Sequence, residues 1–211
     1  APKESPAGYP DCTVCASNSL DEYIVRDLIL QGARVDSFGI GENMITAKSD
    51  PVFGGVYKLA AIEEPDGTVV PKIKISENVE KITNPHHKKL YRFYAKDTGK
   101  AIADYLTVYD ETVDDSRNLE IFDPDATWKR KEVYHFEARE LLVPIYQKGK
   151  LVYKRPGIEE IKKYCTEQVD TLWDEVKRFD NPHNYYVDLS QKLYDIKTEL
   201  LNEKNERYEK N

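Results

Sequence analysis

The sequence predicts an α/β protein: the tail of an irregular parallel α/β barrel, then an antiparallel β region, then C-terminal helices. Two short apolar segments alternate with helical patterns near the N-terminus, the hydrophobic period changes at residue 63, and helical spacing returns at residue 157. The predicted segments are 1–6, a leader or cloning remnant; 7–62, strand–helix units of an incomplete barrel; 63–156, a β-rich region; and 157–211, a helical region.

The first two strands are predicted to be parallel and joined by a helix. Cys12–Ala16 and Val35–Phe38 are short apolar segments, and Ser19–Gln31 between them has the spacing of an amphipathic helix. This helix begins with a Ser-x-x-Glu capping box, and Gly32 supplies its stop. Because a crossover between neighbouring strands is right-handed and returns to the same sheet edge, the two strands should run in parallel.

The later elements follow from turn signals and from a return to helical spacing. Lys96–Gly99 fits a hairpin turn between two strands. The predicted strands of this region are 56–62, 69–75, 89–95, 101–109, 127–137 and 141–146. From Gly157 the apolar spacing predicts one helix that runs to Phe179. Asp188 and Gln191 then fit the cap of a last helix.

Composition argues against several classes of function. The chain has 211 residues, a formal net charge of −7 and a pI of about 5.3, which disfavours a nucleic-acid partner. No apolar run approaches the roughly 18 residues of a membrane span, and residues 1–11 lack a signal-peptide core. We therefore expect a cytoplasmic protein that does not contact a membrane. The Cys12-x-x-Cys15 pair lacks further ligands nearby, so we predict a buried strand there and no metal site.

The residues that follow the two predicted strands indicate an anion-binding site. Ligands of parallel sheets and barrels bind at the carboxyl ends of the strands. A Gly-x-Gly turn lets several backbone N–H groups approach one phosphate, and a following helix adds the positive end of its dipole. The predicted phosphate ligands are the backbone amides around Gly39, Ile40, Gly41, Glu42 and Asn43. The same pattern also fits an ordinary tight turn, and the Glu42 carboxylate should point away from any phosphate.

Two parallel strands cannot form a barrel by themselves. A parallel barrel needs about eight strands, and parallel strands are normally covered on both faces. We therefore expect an N-terminal half, on the same chain or on a separate polypeptide, and predict that this chain alone is inactive. A non-catalytic assembly or regulatory module is the alternative.

Several blocks of the sequence resemble the nicotinate phosphoribosyltransferase family. Ser17–Glu22 reads SNSLDE where the family has SNDLDE, and Gly39–Glu42 reads GIGE where the family has GVGT. Further similar blocks are Gln31–Phe38, Ile45–Thr46, Pro51–Leu59 and Asn181–Ser190, and the resemblance extends from Ala7 to Ile196. Ser19 replaces an aspartate and Glu42 replaces a threonine, so both contacts should differ from those of the family.

The resemblance implies an enzyme that joins nicotinate to 5-phosphoribosyl 1-diphosphate, giving nicotinate mononucleotide and diphosphate for NAD salvage. It also implies ATP as a co-substrate, consumed through a phosphorylated histidine, together with Mg²⁺. The implied fold is a type II phosphoribosyltransferase barrel packed on a second domain, in a homodimer. A related enzyme that uses nicotinamide or quinolinate is the alternative.

The resemblance also assigns residues. It places the ribose 5-phosphate at Gly39–Glu42, with Ser17, Asn18 and Asp21 on the ribose side. The phosphorylated histidine and the arginine motif of the family belong to the part before residue 7. No catalytic residue is therefore predicted in this chain.

Overall fold

A computed structural model describes residues 11–52, 54–78 and 81–209. The chain divides into two compact units, Ala1–Val56 and Tyr57–Asn211. The predicted leader, residues 1–6, and the start of the family resemblance at Ala7 lie outside the described residues. Within the described part of the chain, no helix combines the length and the apolar character that a bilayer crossing requires.

The first unit contains two strands and two helices. In chain order they are β1 (Cys15–Ser17), α1 (Glu22–Leu30), β2 (Ser37–Gly39) and α2 (Glu42–Ile45). β1 and β2 pair in parallel, with Ala16 opposite Phe38, which confirms the predicted parallel pair. Both strands are shorter than predicted. Cys12 and Cys15 are exposed free thiols, so the prediction of a buried strand at these cysteines is wrong.

Helix α1 is capped by Asp21 rather than by Ser19. The Asp21 carboxylate accepts a hydrogen bond from the Ile24 N–H at 2.9 Å. The predicted capping box is wrong because the chain first turns through two residues with positive φ, Asn18 at 93° and Ser19 at 50°. At the other end Gly32 has a φ of 78°, the left-handed conformation that glycine adopts without a Cβ clash, so the predicted stop is confirmed.

The second unit is built on a four-stranded sheet. In chain order its elements are β3 (Ala61–Glu63), β4 (Val69–Pro71), β5 (Lys88–Ala95), β6 (Ala101–Val108), β7 (Leu119–Phe122), β8 (Arg130–Val133), β9 (Phe136–Glu140), β10 (Tyr146–Gln147), β11 (Lys150–Leu151), α3 (Ile158–Asp170), β12 (Val187–Leu189) and α4 (Gln191–Glu209). The central order is β12-β6-β5-β9, with β12 parallel to β6 and the other neighbours antiparallel. The pairs β3-β4, β7-β8 and β10-β11 form separate ribbons.

The core of this unit contains aromatic side chains from the long central hairpin. β5 and β6 are joined at Lys96–Gly99, as predicted, and Gly99 takes a φ of 67° there. The Phe93 ring lies 4.7 Å from Phe136 and 5.3 Å from Tyr105. A second cluster joins β6, β12 and α4 through Val108, Leu189 and Leu193. β12 is therefore fixed by packing on one side and by the edge of β6 on the other.

Several predicted elements of the second unit are wrong in extent or type. The strand predicted over residues 127–137 is two strands, β8 and β9, separated by His135 with a φ of 51°. The helix predicted to reach Phe179 ends at Asp170. Asp188 lies in β12 and does not cap α4; Ser190 does, since its Oγ accepts a hydrogen bond from the first turn at 3.2 Å. Residues 56–62, 69–75 and 141–146 contribute only the short strands β3, β4 and β10.

Candidate functional site

The predicted phosphate-binding turn lies between β2 and α2. Gly39 ends β2, Gly41 is the N-cap of α2, and Glu42 and Asn43 begin its first turn. The first turn of a helix leaves backbone N–H groups without intrahelical acceptors, so these amides are directed out of the N-terminal end. The Gly41 carbonyl accepts from Met44 N at 3.1 Å and thereby closes the turn.

The two glycines of the turn have different structural roles. A Cβ built on Gly39 would lie 3.1 Å from the Cβ of Ser17, closer than side chains normally pack, so the close approach of β1 favours glycine at that position. A Cβ built on Gly41 meets no described heavy atom within 4 Å. The space that a side chain at position 41 would enter is therefore open.

The turn after β1 lies next to the turn after β2. Asn43 Nδ2 donates to the Leu20 carbonyl at 3.0 Å and approaches the Ser19 carbonyl at 3.4 Å. This bond holds the Ser17–Asp21 turn against the start of α2, as expected for the carboxyl ends of adjacent parallel strands. The structure thus brings together the predicted phosphate-side and ribose-side residues. One Asp21 oxygen caps α1, which fixes the direction of its carboxylate.

Further side-chain hydrogen bonds join the strands and helices of the first unit. Asp36 Oδ2 accepts from the Val14 N–H at 2.8 Å, which positions the chain just before β1. Glu22 and Ser49 are hydrogen-bonded, linking the first turn of α1 to the segment after α2. Asp36 thus has a backbone partner from the neighbouring strand segment.

The histidines at the start of β5 take part in local packing. His86 Nδ1 accepts from the His87 N–H at 2.9 Å, and the His87 ring stacks on Tyr109 at 4.0 Å. Lys88 Nζ donates to the backbone carbonyls of residues 84, 85 and 86, and burial lowers the pKa of this amine. Across residues 11–52, 54–78 and 81–209, no group of three or more His, Cys, Asp or Glu side chains is placed to hold a metal ion.

The second unit contains two adjoining cavities beside β12. The larger has a volume of about 540 Å³ and the smaller about 220 Å³. Asp123, Lys129, Tyr186 and Asp188 line both cavities, so these residues stand where the two spaces meet. The larger continues toward Arg178 and His183, and the smaller continues over apolar side chains.

Asp188 is the residue of this region that sequence reasoning missed. Only 4% of it is exposed, and burial, reinforced by the nearby Asp123 and opposed by Lys131, raises the pKa of its carboxyl to about 6. Its place three residues before a helix suggested a cap, whereas the strand pairing turns it toward the cavities. The sequence feature that points to Asp188 is the block Asn181–Ser190, which contains it and resembles the family.

The second unit also contains the residues that identify the family. The sequence profile of the nicotinate phosphoribosyltransferase C-terminal domain matches residues 87–197, more than half of the 211-residue chain. The chain belongs to this family. The matched range includes every strand that lines the two cavities, whereas the Gly39–Asn43 turn precedes it.

Individual relatives extend the match over both units. A Bacillus subtilis protein named nicotinate phosphoribosyltransferase is 42% identical over 203 residues, which cover 96% of this chain and 41% of that protein. A Dictyostelium discoideum protein of the same name is 30% identical over 191 residues, covering 87% of this chain and 31% of that protein. The chain therefore spans less than half the length of these relatives. The family resemblance found in the sequence is confirmed.

A solved structure shares the fold of the chain. The crystal structure of human nicotinic acid phosphoribosyltransferase superposes with a TM-score of 0.67, over 91% of this chain and 34% of that chain. At 23% identity the superposition shows a common fold. The mixed α/β class predicted from sequence is confirmed at that level.

Proposed function

We propose that this chain is the C-terminal part of a nicotinate phosphoribosyltransferase, which condenses nicotinate with 5-phosphoribosyl 1-diphosphate for NAD salvage. In this reaction the ring nitrogen of nicotinate bonds to C1 of the ribose, and diphosphate leaves from the same carbon. Family membership and the names of the long relatives support the assignment. β1 and β2 are, on this proposal, the last strands of an irregular α/β barrel, and the complete enzyme is a homodimer.

The contribution of this chain is to bind the 5-phosphate of the ribose. The observation that carries this assignment is the open turn Gly39–Asn43 at the carboxyl end of a parallel strand pair. Its outward amides supply hydrogen-bond donors, and the positive end of α2 adds about 0.3–1 kcal/mol for an anion. Because Gly41 carries no Cβ, a phosphate oxygen can approach the backbone there.

The neighbouring turn supplies the ribose side of the proposed site. Ser17 stands opposite Gly39 in the parallel register, and Asn18 and Asp21 follow it in the same turn. Holding the phosphate and the ribose hydroxyls fixes the position of C1 relative to the incoming base. Such remote binding contributes to the rate by orienting the reacting carbon rather than by reacting with it. These residues are therefore binding residues, and no catalytic side chain is assigned to this chain.

ATP and Mg²⁺ belong to the proposed activity of the complete enzyme. Since the described residues contain no cluster suited to a metal ion, we assign no Mg²⁺ ligand to them. The diphosphate of the substrate supplies oxygen ligands of the kind that Mg²⁺ prefers. Whichever groups bind Mg²⁺, the proposed role of this chain is to hold the phosphoribosyl group.

A glycine substitution tests the phosphate site. In the full-length protein, Gly41→Ala should weaken binding of ribose 5-phosphate by about tenfold or more, since a methyl group would occupy the phosphate position. Isothermal titration calorimetry measures this affinity. The substitution should leave the folded chain intact, because no described atom lies within 4 Å of the added Cβ.

Gly157→Ala is the matched control, because that glycine also has nothing within 4 Å of its added Cβ and lies at the start of α3. Its affinity for ribose 5-phosphate should equal that of the unaltered protein. If Gly41→Ala binds as tightly as the control variant, the turn does not hold the phosphate. Turnover of nicotinate, nicotinamide and quinolinate by the same full-length protein decides the identity of the base separately.

A further inference from the structure

Asp188 occupies an unusual position for a carboxylate. It lies in β12 opposite Tyr105 of β6, with 4% of its surface exposed. Of the two residues that act on its charge, Asp123 lines both cavities and Lys131 lines the smaller one, so the carboxylate faces that space. A buried carboxylate is costly unless hydrogen bonds or an opposite charge compensate it.

No such compensation comes from the described part of the chain. Within it, no N–H or O–H group donates to the Asp188 carboxylate, and Lys131 acts on it only through space. Neighbouring charges are better satisfied: Arg130 pairs with Glu120, and Lys129 Nζ lies 3.6 Å from Asp123. Asp188 thus lines both cavities without a direct partner among the described residues, and it is more than nine-tenths buried.

The wall beyond Asp188 is partly apolar, and Lys129, Arg130 and Lys131 complete the lining of the smaller cavity. The smaller cavity is bordered by Ile102, Ala103, Ile121 and Phe122, and its volume is about 220 Å³. A dry apolar cavity of about 150 Å³ is sufficient to hold a benzene ring. The smaller cavity therefore has room for a ring, with the carboxylate at the entrance of that space.

We propose that the two cavities form one binding site for a small organic cation, whose amine or amidine group donates to Asp188 while its apolar body enters the smaller cavity. A metal ion does not fit, because the nearby carboxylates do not form a group of three suitable ligands. An organic cation matches both features, since it supplies N–H donors to the carboxylate and apolar surface to the wall.

Cationic side chains line both cavities: Lys129 lines the two of them, Arg130 and Lys131 line the smaller, and Arg178 lines the larger. Arg178 and His183 line only that space, and Arg178 Nε donates to the Glu175 carbonyl at 3.2 Å. They can interact with an acidic substituent of the ligand at the outer end of the site. They do not neutralise Asp188, which stands at the inner junction.

Binding of the cation should depend on pH. The Asp188 carboxyl has a pKa of about 6, so it carries its charge above that pH and loses it below. The other charged or titratable groups that face it are Asp123, Lys129 and Lys131 from the β7–β8 ribbon, Tyr105 from β6, and Arg178 and His183 before β12. Loss of the Asp188 charge should therefore weaken cation binding as the pH falls.

The test uses ligand-observed ¹⁹F NMR with the full-length protein and three probes of one shape. The probes are 4-fluorobenzamidine, which is cationic, 4-fluorobenzamide, which is neutral, and 4-fluorobenzoate, which is anionic. We expect the amidine to bind most tightly at pH 7.5 and to lose about tenfold in affinity for Asp188→Asn, because the substitution removes the charge at nearly constant volume. The affinity of the amide should change less than about threefold.

Asp125→Asn is the control, because Asp125 also lines the larger cavity but is exposed. It should leave the affinity for the amidine within about twofold of the unaltered protein. Equal binding of the amidine to Asp188→Asn and to the unaltered protein would overturn the proposal. So would tighter binding of the benzoate than of the amidine, since that order would mean that Arg178 and Lys129 select an anion instead. Absence of amidine binding at millimolar concentration would also overturn it.

Discussion

At the scale of single residues, the chain contains carboxylates whose effect depends on what surrounds them. Asp104 is buried and fully engaged: Arg92 binds both of its oxygens, at 2.7 and 2.9 Å, and the Tyr185 hydroxyl donates to it at 3.0 Å. Asp188, on the neighbouring strand, is buried to a similar degree without a hydrogen-bond donor from the described residues. The first arrangement contributes to the fold, whereas the second costs stability and is suited to a ligand.

Asp188 should therefore make the fold less stable as the pH rises. Its folded-state pKa of about 6 is above the ordinary value of 3.8, so its contribution is most favourable below about pH 4 and is lost as the pH rises through 6. At pH 7.5, Asp188→Asn should raise the free energy of unfolding by about 1–2 kcal/mol, a figure reduced by water in the cavity. Urea unfolding at pH 4 and pH 7.5 measures this. A loss of stability at pH 7.5 would contradict it.

Glu42 is the second carboxylate with a predictable effect. It is exposed at the first turn of α2, where a carboxylate favours the helix dipole but repels a bound phosphate. Glu42→Thr should tighten binding of ribose 5-phosphate by about twofold to tenfold, since it removes a like charge and adds a hydroxyl donor. Calorimetry at low and high salt measures the gain, which should shrink as salt screens the charge. Unchanged affinity at low salt would place the phosphate elsewhere.

At the scale of elements, side chains connect strands and helices that are far apart in sequence. Ser190 Oγ donates to Glu111 Oε2 at 2.7 Å and accepts from Leu193 N at 3.2 Å, and the same Glu111 oxygen accepts from Val108 N at 2.7 Å. The cap of α4 is thereby joined to the end of β6 and to β12. One serine thus takes part in fixing three elements.

Loss of this connection should be measurable. Ser190→Ala removes the helix cap and leaves the half-buried Glu111 with one donor fewer, so we expect a loss of about 1–3 kcal/mol in unfolding free energy. Chemical denaturation measures it. Ser116→Ala, in an exposed turn where the Ser116 side chain meets Asp114, is the control and should cost less than about 0.5 kcal/mol. Equal costs for the two variants would show that the Ser190 connection adds little.

At the scale of the whole molecule, the two units differ in how much apolar surface they bury. In the described part of the first unit, Leu20 is the single buried side chain, and Ile29, Leu30 and Ile45 are exposed. The second unit has two buried clusters. Because burial of apolar surface is the main stabilising contribution, the first unit should be the less stable part of the isolated chain.

Hydrogen exchange of the isolated 211-residue chain tests this difference. Amides of α1 should exchange with protection lower by about tenfold or more than those of β5 and β6, since opening α1 exposes little buried surface. Mass spectrometry of exchanged peptides resolves the two regions. The isolated chain should also bind phosphate poorly, because the strands and helices that position its Gly39–Asn43 turn are sparsely packed. Equal protection of α1 and β6 would contradict both statements.

Sequence patterns identified the structural features that depend on residues close together in the chain. Resemblance to a known family identified the family. The parallel pair β1-β2, the stop at Gly32, the hairpin at Lys96–Gly99 and the family itself were all predicted, and the structure or the comparisons confirm them. Apolar spacing, turn residues and motif blocks are properties of short segments, which is why they can be read directly from the sequence. The use of the Gly39–Asn43 turn as a phosphate site stays a prediction.

What the sequence could not show depends on contacts between distant segments. Val187–Leu189 is a strand because the free edge of β6 accepts it, and no local pattern distinguishes that segment from the start of a helix. Asn18 and Ser19 turn with positive φ, which moves the cap of α1 to Asp21. The sequence by itself determined the family and the glycine turn, whereas tertiary pairing alone placed the Asp188 carboxylate in a cavity, because burial and strand partners are set by the whole fold.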